Sequence, residues 1–179
     1  MKAQNRIFKM ILAALFFALA YVLPFLTGQI PKIGAMLCPM HLPVLLCGFI
    51  CGWAWGLTVG ALVPLVRSLT LGMPIFFPMA VCMALELATY GVVAGLMYKA
   101  FPRRKLFIYC SLITAMIAGR LVWGTGMFVC MAIRGGGFTF SAFVAGAFVN
   151  AIPGIAVQIA LVPVLVMVAE RLKVLRIQE

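Results

Sequence analysis

Apolar residues run along the chain in long blocks separated by short polar or basic steps, and each block reads as a helix. The first covers about 6–26 and ends at Pro24 and the Thr27-Gly28 step. Gln29 to Gly34, with Pro31 and Lys32, then form a polar connection. The stretch 36–72 is too long for one span. Gly48, Gly52, Gly56 and Gly60 recur in it at intervals of four, and Trp53 and Trp55 bracket its centre. It therefore predicts two short antiparallel helices, 36–53 and 55–72, turning near residues 53 to 55, where aromatics suit a membrane interface. Gly72-Met73-Pro74 closes the third helix, and a fourth over 76–99 stops at Pro102 and a basic cluster. A fifth covers 106–131. After Arg134-Gly135-Gly136-Gly137 a sixth covers 139–172, with room to tilt or kink at Pro153 and Pro163. The pattern predicts an all-α membrane protein, residues 1–179 forming a single bundle of six transmembrane helices.

Composition removes the soluble alternative. Of 179 residues 66% are hydrophobic and 9% charged, and the mean hydropathy is +1.21, whereas soluble domains are about half apolar and a quarter charged. So little polar surface requires lipid as the outer solvent. The net charge of +11 would suggest nucleic acid in a soluble protein, but position matters more than sum. Lys2, Arg6 and Lys9 precede the first block, Lys99, Arg103, Arg104 and Lys105 share one connection, and Arg171, Lys173 and Arg176 follow the last block. The positive-inside rule makes these three clusters cytoplasmic, with both termini inside and an even number of crossings between clusters. The exterior connections, 27–35, 72–75 and 132–138, carry only Lys32 and Arg134. Nucleic acid is not an expected partner; the bilayer is. The first block is too long for the apolar core of a cleavable signal and reads as a membrane span. The six cysteines mostly fall inside apolar blocks, as small buried hydrophobes do, and predict no disulfide framework.

Ionisable groups in mid-membrane are costly and usually mark function. Arg67, Glu86 and Arg120 qualify, joined by Asn150, Gln158 and His41. At 1.5 Å per residue, Glu86 lies about 15 Å from the outer end of its helix, Arg120 about 16 Å and Asn150 about 17 Å, a common level. Arg67 and His41 come out shallower, at about 8 Å. These groups outline a pocket open to the exterior. Helical spacing puts Trp123, Gly124 and Met127 on the face of Arg120, Met79, Met83 and Tyr90 on that of Glu86, and Gly146, Gly154 and Gln158 on that of Asn150. Two arginines against one glutamate favour an anionic ligand, such as a carboxylate gripped in bidentate fashion. The alternative is an interhelical ion pair of Glu86 and Arg120, with Asn150 as its hydrogen-bond partner and Arg67 unpaired, which is a purely structural use.

Small residues at four-residue spacing let helices approach closely in lipid. The glycine series, Gly91 with Gly95, and Ala14 with Ala18 fit that pattern. Each serves either packing within the bundle or docking to another membrane protein. Met36-Leu37-Cys38-Pro39-Met40-His41 has the soft donors Cu(I) takes, yet no second cluster completes a metal site. Nucleophile elbows, zinc-binding helices, carboxylate pairs and phosphate loops are all missing from the sequence, so no cofactor and no enzyme activity are expected. ATP, if it drives the protein, binds elsewhere.

Gln29-Ile-Pro-Lys-Ile-Gly34, Leu37-Cys-Pro-Met-His-Leu-Pro-Val44, Cys47-Gly, Cys51-Gly-Trp and Met83-Ala-Leu-Glu-Leu-Ala-Thr-Tyr-Gly91 together resemble the substrate-binding S component of an energy-coupling factor (ECF) vitamin transporter. The resemblance covers most of the chain. It implies high-affinity capture of a small water-soluble vitamin from outside, no nucleotide hydrolysis by the chain itself, and two kinds of partner: a coupling transmembrane subunit and two cytoplasmic ATPases. It assigns Ala14 and Ala18 to the coupling subunit, and lids to Gln29 to Gly34 and Gly72 to Phe77, with Gln29, Lys32, Met73 and Phe76 as lid residues. The text around Glu86 is most similar to the pantothenate-type branch. Pantothenate also suits the excess positive charge; folate would want more stacking aromatics, and thiamine more acids. Metal-transporting members carry an amino-terminal histidine motif where this chain has Met1-Lys2-Ala3. On this expectation Arg120 pairs with the ligand anion, Asn150 and Glu86 bind its polar groups, Trp123 and Tyr90 pack on its body beside Met83 and Met127, and Arg67 and His41 lie nearer the mouth. The rival outside ligand capture is a structural or assembly membrane protein. A membrane enzyme using Glu86 and His41 is a third.

Overall fold

The computed structural model describes residues 2–27, 36–102, 104–137 and 139–172, and among these every regular element is helical. The elements are α1 (Lys2–Val22), continued by a 3₁₀ turn Leu23–Thr27; α2 (His41–Cys51); α3 (Trp53–Leu71); α4 (Val81–Ala100), entered through a wide turn Phe76–Ala80; α5 (Lys105–Ile133); α6 (Phe140–Val144), continued by a wide turn Ala145–Val149; and α7 (Ile152–Arg171). Among the described residues, five stretches are long and apolar enough to cross a membrane: Gln4–Leu26, Trp53–Leu71, Phe76–Ala100, Lys105–Ile133 and Ile152–Arg171.

Four boundaries differ from the sequence reading. The helix expected over 76–99 becomes α-helical only at Val81, because Phe77 is extended (φ -122°, ψ 130°) within the wide turn that precedes it. The helix expected over 36–53 begins at His41, because Cys38 takes a left-handed φ of 47° and the chain turns through Pro39 and Met40. The turn between α2 and α3 falls at Gly52, whose φ of 97° suits glycine and few other residues, rather than at 53 to 55. The helix expected over 139–172 is broken at Asn150 and Ala151. Pro153 sits in the first turn of α7, where its missing N–H costs nothing, and Pro163 stays inside α7 without ending it.

Helix α4 is the hub, packed against α2, α3 and α5, while α7 leans on α2 and α5 and α1 on α2 and α3. Glycines set how closely the first group approaches. A Cβ on Gly48 would lie 2.6 Å from the Gly91 carbonyl oxygen, one on Gly60 2.4 Å from that of Leu87, and one on Gly95 2.5 Å from the Trp53 nitrogen. Gly48, Gly56 and Gly60 are thus internal, joining α2 and α3 to α4 backbone to backbone, while Gly52 between them makes the turn, where a Cβ would meet nothing within 4 Å. Along α5 the buried residues Ser111, Leu112, Ala115, Met116, Gly119, Arg120, Trp123, Gly124 and Met127 make one stripe of helical period. Leu121 and Phe128, away from that stripe, are exposed, as lipid-facing residues are. Helix α1 turns Ala13, Phe16 and Ala20 inward and leaves Ala14 and Ala18 exposed.

Candidate functional site

Glu86, one turn and a half into α4, is 1% exposed and gathers the polar side chains around it. Its Oε1 lies 3.0 Å from Nη1 of Arg120 on α5 and 3.5 Å from Nε2 of His41 at the start of α2. It also accepts the hydroxyl of Tyr90, one turn further along α4, at 3.3 Å. The His41 ring stands edge-on to Tyr90 with centroids 5.3 Å apart. Gly119 makes room for this: a Cβ there would fall 2.1 Å from the Tyr90 ring. Three helices therefore meet at a single carboxylate oxygen, each delivering one polar residue from its inward stripe.

Arg120 is 6% exposed and its fork is only partly used. Nη1 serves Glu86, and Nη2 donates to the Cys38 Sγ at 3.5 Å, a weak acceptor. Nε has no hydrogen-bond partner among the described residues, nor has either ring nitrogen of His41. On its other side Arg120 lines a groove of about 140 Å³ with Ile113, Met116, Ile117, Phe148, Ile155 and Ile159. Trp123 and Met127 continue the Arg120 face and pack with Ala147, Cys82 and Cys130 in a small second core, with Gly146 fitted to the Trp123 ring edge.

Depth and face counting along the sequence thus brings Glu86, Arg120 and Tyr90 together, with Trp123, Met127 and the half-buried Met83 adjoining along the same helix faces. His41, counted as shallower and nearer the mouth, instead reaches Glu86, because the chain turns at Cys38 to Met40 and α2 starts only at His41. Other expected residues lie elsewhere. Arg67 is buried, but it donates to the Tyr21 backbone carbonyl and lies over the Phe25 and Tyr21 rings at 5.2 and 5.5 Å. It straps the end of α1, whose last carbonyls lack helical partners, to α3, and Tyr21 and Thr70 add a hydroxyl pair at 2.9 Å. No carboxylate pairs with it among the described residues, as expected, and a carbonyl and two ring faces hold its charge instead. Asn150 is exposed at the break before α7, so the level counted along an unbroken helix does not hold for it; Gln158, on the same expected stripe, is buried with neither amide atom hydrogen-bonded among the described residues. Met73 and Phe76 are exposed beside α4, and Met79 is too. Gln29 and Lys32 lie outside the described residues, as do Arg103, Lys173 and Arg176.

Cys38 is the site residue that sequence reasoning weighed only as a soft-metal donor. Its signal was Pro39 behind it, which marks a turn but not its direction. No group of three or more histidine, cysteine or acidic side chains is arranged to hold a metal ion among the described residues.

These features define a multi-pass membrane protein with a buried, incompletely satisfied polar cluster between its helices. The chain belongs to the ECF transporter substrate-specific components, whose family model matches residues 8–166. Neither a curated protein nor a solved structure matches it. Members of this family are the substrate-binding subunits of a membrane transporter, not enzymes, and they work with a membrane T component and ATPases.

Proposed function

We propose that this subunit captures a small water-soluble micronutrient carrying a carboxylate, pantothenate being the leading candidate, from the exterior face, for import driven by ATP hydrolysis on its partner subunits. The observation that carries the reading is the state of Arg120. Its Nε is buried with no hydrogen-bond partner among the described residues and its Nη2 is spent on a thiol, so the Nε–Nη2 edge suits the two oxygens of a carboxylate. Nη1 stays on Glu86, which fixes the plane of the fork. His41, whose Nδ1 has no hydrogen-bond partner among the described residues, and Tyr90 offer hydrogen bonds for hydroxyl or amide groups, and Trp123, Met83 and Met127 an apolar wall. Asn150, together with Arg67, Met73, Phe76, Gln29 and Lys32, belongs to the outer approach in this reading.

Six crossings with both termini cytoplasmic fit the basic clusters, five long spans and the short α2 beside α3. The coupling subunit then docks on the exposed Ala14 and Ala18 side of α1, and two ATPases act below it.

A thermal-shift series on the detergent-purified protein against water-soluble vitamins tests the reading. A ligand at a hundred times its Kd stabilises by about 2.7 kcal/mol. Pantothenate should raise the midpoint, and Arg120→Lys, which keeps the charge but loses the fork, should lose that rise while staying folded. A full response in the Lys variant would overturn the carboxylate assignment. The structural reading has one observation in its favour: Arg120, His41 and Tyr90 all converge on Glu86. A Glu86→Gln, Arg120→Gln double variant separates the two, since a scaffold retains every function and a binder loses its ligand.

A further inference from the structure

Cys82, in the first turn of α4, and Cys130, in the last turn of α5, bring their Sγ atoms to 3.8 Å. They belong to neither the Glu86 cluster nor the glycine junction. Both are free thiols, and they meet in the small core with Trp123, Met127 and Ala147. Gly126, one turn before Cys130, keeps the helices close: a Cβ there would sit 3.3 Å from the Cys82 Sγ. Two sulfurs at this separation need to close by roughly 1.8 Å to reach disulfide length, within the reach of side-chain rotation with a small helix adjustment.

We infer that Cys82 and Cys130 are a redox clasp, joining α4 to α5 by a disulfide when the protein meets a small disulfide oxidant. Burial sets the order of events. Cys130 is 9% exposed and Cys82 0%, so the Cys130 thiolate attacks the oxidant first, forming a mixed disulfide and releasing one small thiol. Cys82 then gives up its proton and its Sγ attacks the Cys130 sulfur, expelling the second small thiol. The balance is a protein dithiol and one disulfide going to a protein disulfide and two thiols. The bond closes a loop from 82 to 130 that includes most of α4, all of the connection and nearly all of α5. Clasped, this end of the two helices holds Trp123 and Met127 at fixed separation from α4. The chemistry is independent of which ligand the Arg120 site takes.

The test uses the full-length protein in detergent with Cys110→Ser, which removes an exposed thiol, treated with dithiodipyridine and then alkylated after unfolding. Expected are a peptide pair linked through Cys82 and Cys130 in the mass map and a rise in Tm of roughly 5 °C or more that dithiothreitol reverses. Both should vanish in Cys82→Ala and in Cys130→Ala. The inference is overturned if both thiols alkylate, if Cys130 stops at the mixed disulfide, if the linked pair involves another cysteine, or if the link forms without moving Tm.

Discussion

The junction of α2 and α3 with α4 and the junction of α5 with α6 both depend on glycine, but the glycines face different things. Gly91 in the first points at the backbone of Gly56, where a Cβ would lie 2.3 Å from the carbonyl atoms. Gly124 in the second points at the Phe143 ring, with a Cβ 2.2 Å from it. The overlaps are nearly equal, and their consequences are not. Backbone held by two helices cannot retreat, whereas a half-buried ring on a five-residue helix can turn aside. The first junction is a fixed frame and the second is deformable, and Glu86 and Arg120 stand where they meet. A capture site needs that asymmetry: one wall that fixes the fork of Arg120, and one that gives way as a ligand enters.

The largest effect should come from the seam itself. Glu86→Ala strands Arg120 among apolar neighbours, a loss of about 3–5 kcal/mol, read as a collapse of Tm or of the monodisperse fraction in detergent; a fall below 1 kcal/mol would mean that water already reaches the pair. Next, Gly91→Ala should cost about 1–3 kcal/mol by forcing α3 from α4, measured by thermal unfolding. Gly124→Ala carries the same overlap but should cost less than about 1 kcal/mol, and equal losses in these two variants would erase the distinction between frame and deformable wall. Smallest, Asn150→Ala at the exposed break should shift stability by no more than about 0.5 kcal/mol, so any large loss of vitamin binding in that variant reports on the approach to the site rather than on folding.

Much of this was legible beforehand where a local period decides the outcome. The Arg120, Trp123, Gly124 and Met127 face follows from helix geometry alone, and the structure keeps it, as it keeps the packing use of Gly48, Gly56 and Gly60; Gly52 proves to be the turn instead. Glu86 and Arg120 meet as counted even though the first residues of the expected fourth helix, Phe76–Ala80, form a wide turn with a non-helical Phe77; a break of that length shifts the count too little to part the two side chains. Asn150 was placed by the same count along a helix that is interrupted, so its direction did not follow. Arg67 shows a different limit. Depth says how far along α3 it lies but not which neighbour it faces, and α1, with its open carbonyl at Tyr21, takes it. Cys38 reaches Arg120 only because its backbone turns left-handed, a property set by tertiary packing and not by the residue's own preference.

Helix α2 has a bearing on how the protein is made. Its 11 residues measure about 16 Å, roughly half the hydrocarbon thickness of a bilayer, and every one of them except Leu42 is buried. Such a segment has no lipid-facing side on which to partition by itself. It must leave the insertion machinery as a hairpin with α3, hinged at Gly52, and wait there until α4 is synthesised and closes over the glycines of both. A nascent chain halted after α3 would leave α2 covered by α1 and α3 but bare on the side that α4 later closes.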